Sequence, residues 1–104
     1  MKTKTAIQII EQASRLFFPD CVILLFGSRA KNEYTPDSDY DFLIIIQHEL
    51  SIEQKREYKA KIRKILARQK IPADILIQSD KEIEIKKNIT GHIVKQALQE
   101  GIEI

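Results

Sequence analysis

Phe26 to Ile46 reads FGSRAKNEYTPDSDYDFLIII. A Gly27-Ser28 pair follows an apolar run, and after ten intervening residues comes Asp39-Tyr40-Asp41, opening a second apolar run. Ionised carboxylates beside a buried strand must be paired, solvated or bound to a metal. Side chains alternate along a strand, so Asp39 and Asp41 share one face and Tyr40 takes the other. Two same-face carboxylates suit Mg²⁺, which prefers hard oxygen ligands and keeps waters or phosphate oxygens in its shell. Gly27 lets backbone approach a phosphate with no Cβ in the way. Ser28 is placed as the cap of a helix of about one turn, Arg29–Asn32, whose free N–H groups and dipole favour an anion. Metal plus phosphate points to nucleotide chemistry.

The flanking sequence supplies a framework. Thr3 or Thr5 caps a first helix, whose apolar face is Ala6, Ile10, Ala13 and Phe17. Pro19-Asp20 ends it. Residues 21–26 read as a buried strand, Tyr34–Ser38 as a loop and Asp39–Gln47 as a second buried strand. Ser51 caps a long helix over about 52–70, with Tyr58, Ile62, Ile65 and Leu66 inward. A third strand, Ala73–Gln78, carries Asp74 near its start. A helical pattern begins at Asp80, Gly91 interrupts it, and Ile93, Val94, Ala97 and Leu98 line a last helix that stops at Gly101. Ile102–Ile104 is a short edge strand. The order is α-β-α-β-α-β-α with a final strand: an α/β (α+β) fold, a small mixed sheet flanked by helices. The sheet is mixed because the first two strands lack the long crossover that a parallel pair needs. If the third strand neighbours the second, Asp74 lies beside the acid pair. It then completes the shell of a second ion and receives a nucleophile's proton.

The chain has 104 residues, enough for one domain over 1–104 and not comfortably two. A formal charge of +2 says little about partners. The lone Cys21, in an apolar run, reads as packing and fits a reducing cytosol. No apolar run approaches the ~20 residues that cross a bilayer, and the first twenty residues lack a signal-peptide core. A soluble, cytoplasmic protein with no membrane contact is expected. There is no Walker loop and no Gly-x-Gly-x-x-Gly. His48 and His92 stand alone, without the spacing of metal ligands. Arg29 and Lys31 are cations near the Gly-Ser turn, as readily solvated surface as contacts to a triphosphate. Residues 55–70 hold eight of the seventeen basic residues. They surround the apolar stripe without forming one face, so a solvated helix is favoured over a surface for RNA or an acidic partner.

Gly-Ser, ten residues, Asp-x-Asp and a hydrophobic strand together resemble the DNA polymerase β-like nucleotidyltransferase superfamily. Within it, the short chain resembles the minimal nucleotidyltransferases (MNT). The resemblance runs nearly the whole length, including the late segment IVKQALQEGIEI, and the chain matches at all five motif positions. It implies the polymerase β-like fold. Asp39 and Asp41 then bind Mg²⁺, as two ions, and Asp74 is the third metal-binding and catalytic carboxylate. Gly27 and Ser28 hold the nucleotide phosphates, with ATP as the substrate, and Arg29, the next residue, is added to them as a nucleotide-binding candidate. The implied reaction moves a nucleoside monophosphate from NTP to a hydroxyl and releases pyrophosphate. Minimal members are often antitoxins paired with RNA-cleaving HEPN-domain toxins, to whose tyrosine they add AMP, so a HEPN toxin is the implied partner.

Two other readings remain open. One is transfer to a small-molecule hydroxyl of the antibiotic type, with an added pocket at a dimer interface. The other is a non-catalytic antitoxin acting by contact alone, which has no need of three grouped carboxylates. A homo- or hetero-oligomer fits each reading. No template- or primer-binding region is visible, which argues against nucleic acid as a direct ligand. Nothing in the sequence reads a base edge or identifies the acceptor.

Overall fold

The computed structural model describes residues 5–104; Thr3, one of the two candidate caps, lies outside them. Thr5 caps α1 (Ala6–Phe17), its hydroxyl accepting from the Gln8 N–H while the Gln8 side chain returns to the Thr5 N–H. This reciprocal box satisfies two of the donors a helix start leaves free. The chain continues through β1 (Val22–Phe26), β2 (Tyr40–Ile46), α2 (Ile52–Arg68) and β3 (Ala73–Ser79). It ends with α3 (Asp80–Lys86), α4 (Ile93–Glu100) and β4 (Ile102–Glu103). Ser51 with Gln54 and Ser79 with Glu82 repeat the capping box at α2 and α3.

The sheet order is β3-β2-β1-β4. β1 runs antiparallel to both β2 and β4, and β2 runs parallel to β3. The mixed sheet is as the sequence implies: only the β2–β3 link carries a crossover helix, α2. Ile10 and Ala13 of α1 and Ile62 and Leu66 of α2 pack on Phe42, Ile44, Ile75 and Ile77 to form the main core. The other face is thinner. There Leu43 meets Phe26 and Ala97, with Leu76 and Ile83 beside them. By strand alternation Asp41 and Asp74 share this thinner face with Leu43 and Leu76.

One expected element is absent. No helix follows Ser28: residues 28–32 form turns, so the order is α-β-β-α-β-α-α-β. The Ala30 N–H donates to the Gly27 carbonyl (3.1 Å), and the Glu33 N–H loops back to the Ser28 carbonyl (3.0 Å). Between them Asn32 enters the left-handed region at φ 58°, where asparagine is one of the few tolerated residues. Four residues cannot offset the cost of nucleating a helix, and the left-handed Asn32 closes the turn at once. Without a helix there, no helix dipole favours an anion at Ser28. Asp39 also lies one residue ahead of β2 rather than within it.

Candidate active site

Because β1 opposes β2 and β2 parallels β3, the end of β1 and the starts of β2 and β3 meet at one edge of the sheet. Asp41 stands between two neighbours there, in register with Asp74 of β3 on one side and Phe26 of β1 on the other. Gly27, next in the chain, turns with φ 74°. A Cβ built on it would overlap the Asp41 carboxylate. Both the left-handed backbone and the approaching acid therefore require glycine at 27. Gly27, just after β1, and Asp41, in β2, are fourteen positions apart in the chain and are pressed together by the β1–β2 register.

Asp41 is half-buried, while Asp39 and Asp74 are exposed. Among the described residues, none of the three carboxylates accepts a hydrogen bond or pairs with a cation. Partial burial pushes the Asp41 carboxyl above the usual aspartate range, and the charges of Asp74 and then Asp39 push it further. Asp41 thus feels both other acids, and β3 brings Asp74 level with Asp41, as the sequence expects. Among the described residues, no three acid, histidine or cysteine side chains make a ready-made chelating group. Mg²⁺ commonly takes one or two carboxylates and completes its shell with waters and substrate phosphate oxygens. An unpaired, oxygen-only donor set with one uncomfortable member fits such an ion.

The glycine turn presents the other half of the site. Among the described residues, the Ser28 and Arg29 N–H groups and the Ser28 hydroxyl bond to no protein atom. These free donors take the place of the missing helix end. Arg29 has different company from that expected. Its Nε and Nη2 donate to the Ser38 carbonyl at 3.3 and 2.9 Å, and Nη2 also reaches the Pro36 carbonyl at 3.3 Å. Its guanidinium carbon lies 4.4 Å from the centre of the Tyr34 ring and 4.2 Å from that of Tyr40. Lys31 pairs with Glu100 at the end of α4 (2.9 Å). Tyr34 is exposed and serves as a platform for Arg29.

Other sequence candidates take structural roles. His92 caps α4, its Nδ1 accepting from the Val94 N–H at 3.1 Å. Cys21 is buried, and that burial raises its thiol pKa. Most basic residues of α2 are exposed. Lys55 is an exception, paired with Glu82 of α3. A groove of about 660 Å³ lies between α1 and α2, on the face away from the acids, along Ile9, Leu16 and Ile65. A groove of about 430 Å³ opens beside Asp39 and is flanked by Arg63 and Lys70. No local sequence signal joins those two cations to Asp39, because the neighbourhood is made by the end of α2 passing the starts of β2 and β3.

The family model described as nucleotidyltransferase domain matches residues 6–104. The chain belongs to the nucleotidyltransferase domain family. A Methanocaldococcus jannaschii relative named as a putative protein adenylyltransferase is 33% identical over 82 residues, covering 79% of this chain and 76% of that protein. In shape, the nucleotidyltransferase resembles a chain of a toxin–antitoxin structure with AMP-PNP. The TM-score is 0.66 at 18% identity, over 92% of this chain and 69% of that one. It also resembles a chain from the complex of a tri-AMPylated Shewanella oneidensis HEPN toxin with an MNT antitoxin. That match has a TM-score of 0.55 at 14% identity, over 95% of this chain and 71% of that one.

Proposed function

We infer that this nucleotidyltransferase moves AMP from ATP to a hydroxyl of a partner protein, a tyrosine of a HEPN-domain toxin, and so acts as its antitoxin. One observation carries the chemistry. Three carboxylates without counter-charges meet at one sheet edge, against a glycine turn with free N–H donors. The relative named for protein adenylylation and the two toxin–antitoxin fold neighbours support the choice of AMP and of a HEPN partner.

In this reading Asp39, Asp41 and Asp74 hold Mg²⁺, which when bound neutralises charge on the α- and β-phosphates. The Ser28 hydroxyl and the N–H groups of Ser28 and Arg29 hold the distal phosphates in line. Asp74, exposed at the start of β3, accepts the proton of the attacking hydroxyl. The acceptor oxygen bonds to the α-phosphorus, the bond from that phosphorus to the bridging oxygen breaks, and pyrophosphate leaves with the electron pair. Positioning and electrostatics supply most of the rate, as in other phosphoryl transfers.

ATP labelled at the α-phosphorus, incubated with Mg²⁺, this protein and a HEPN-domain protein from the same genome, should label the HEPN protein. ATP labelled at the γ-phosphorus should not. Label from the γ position would identify a kinase. No label, with a stable complex between the two proteins, would favour an antitoxin acting by contact alone. No label and no complex would redirect attention to small-molecule acceptors.

A further inference from the structure

Asp39 is the least restrained of the three acids. It is exposed and lies outside the β2 ladder, so pairing with β1 and β3 does not fix it as it fixes Asp41. Hydrogen bonds on both sides pin its neighbours instead. On the C-terminal side the Tyr40 N–H donates to the Pro72 carbonyl at 2.9 Å. On the N-terminal side the Ser38 carbonyl accepts two bonds from Arg29, and the Pro36 carbonyl a third. The guanidinium is held in turn by the Tyr34 and Tyr40 rings. Arg29 therefore ties the start of the connection between β1 and β2 to its end, spanning nine residues from the glycine turn to Ser38.

We propose that Arg29 is a positioning residue, whose guanidinium holds the Ser38 carbonyl and so presets Asp39 to receive a cation, rather than a ligand of the nucleotide phosphates. This inference rests on the reading of the three acids as a metal site. Its chemistry is specific to arginine. A planar fork can donate twice to one carbonyl region while lying against aromatic rings, and an ammonium cannot do both. Groups that orient metal ligands from behind are commonly worth 10–100-fold in metal affinity.

The test is Mn²⁺ binding without nucleotide, read from the electron paramagnetic resonance of free Mn²⁺. It compares wild type, Arg29→Lys, Asp39→Asn and the double variant, each checked for folding by circular dichroism. Arg29→Lys should weaken Mn²⁺ binding by roughly tenfold. In the Asp39→Asn background it should have little further effect, since its action passes through Asp39. Tyr34→Leu, a change at an exposed ring, should weaken binding in the same direction but less. If Arg29→Lys leaves Mn²⁺ binding at the wild-type level and instead raises the KM for ATP, Arg29 is a phosphate ligand and the inference is overturned. Equal losses in both backgrounds would also overturn it. Absence of Mn²⁺ binding by the wild type would remove the metal site itself, and this inference with it.

Discussion

At the scale of single residues, Asp41 shows what the site costs the fold. A half-buried carboxylate flanked by two other acids is harder to ionise in the folded chain than in the unfolded one. A folded pKa above the unfolded value means that the folded state holds the proton more tightly. Stability therefore declines as pH rises from the ordinary aspartate range through the raised folded value. Above that value the penalty is complete, and below the ordinary range it is absent. Asp41→Asn, of the same shape and uncharged, should raise the melting temperature by a few degrees near neutral pH. The gain should shrink towards zero as pH falls through the raised value, and nucleotidyl transfer should be lost throughout. Thermal melts across pH check this, and a melting temperature for Asp41→Asn at or below wild type at neutral pH would contradict it. Gly27 belongs to the same arrangement. The motif made it legible as a turn, but not that its missing Cβ makes room for Asp41, because that contact depends on the pairing of β1 with β2.

Among the elements, helix ends were well written in the sequence. Thr5, Ser51 and Ser79 each precede a helix with Gln or Glu at the third position, and each forms the reciprocal cap. At Ser79 the cap is shared: Glu82 also meets Lys55 of α2. Partial burial raises the Glu82 pKa, but Lys55 and Ser79 outweigh it and hold the carboxyl below the usual glutamate range. The end of α2 follows a different pattern. The Ile71 N–H returns to the Leu66 carbonyl and the Lys70 N–H to the Ala67 carbonyl, both at 3.0 Å. This closing motif places a left-handed residue, usually glycine, just past the helix. Here it is Lys70, at φ 57°. A side chain in that conformation costs about 1–2 kcal/mol, of which glycine's freer unfolded chain would return about 0.4–1 kcal/mol. Lys70→Gly should therefore stabilise the protein by about 0.5–1 kcal/mol. That corresponds to a rise of roughly 2–8 °C in melting temperature for a domain of this size. A fall on thermal melting would show that the Lys70 side chain is doing more than cap the helix. The failed helix after Ser28 has the converse cause. A serine followed by Arg-Ala-Lys looks like a cap, but the chain had only three residues after Ser28 before Asn32 turned it back.

For the molecule as a whole, strand content was legible and strand neighbourhood only partly so. Short apolar runs such as Cys21–Phe26 and Phe42–Ile46 announced buried strands through their length and boundaries. That β3 lies beside β2, with Asp74 level with Asp41, was conditional in the sequence, since pairing is decided by which faces α2 covers. The place of Arg29 was not legible. Its partners are carbonyl oxygens and two tyrosine rings, and backbone acceptors leave no mark on the sequence. The fold concentrates its bulk on one face, where α1 and α2 build the core, and leaves the acid edge on the thinner face. That exposure suits a site whose acceptor is as large as another protein. Intact-mass spectrometry of the proposed HEPN-domain partner, after incubation with this protein, ATP and Mg²⁺, decides whether the protein adenylylates it. The partner should gain one or more AMP units with the wild-type protein, and none when Asp39 and Asp41 are both alanine. An unchanged partner mass with the wild type, or the same gain with the double alanine variant, would contradict it.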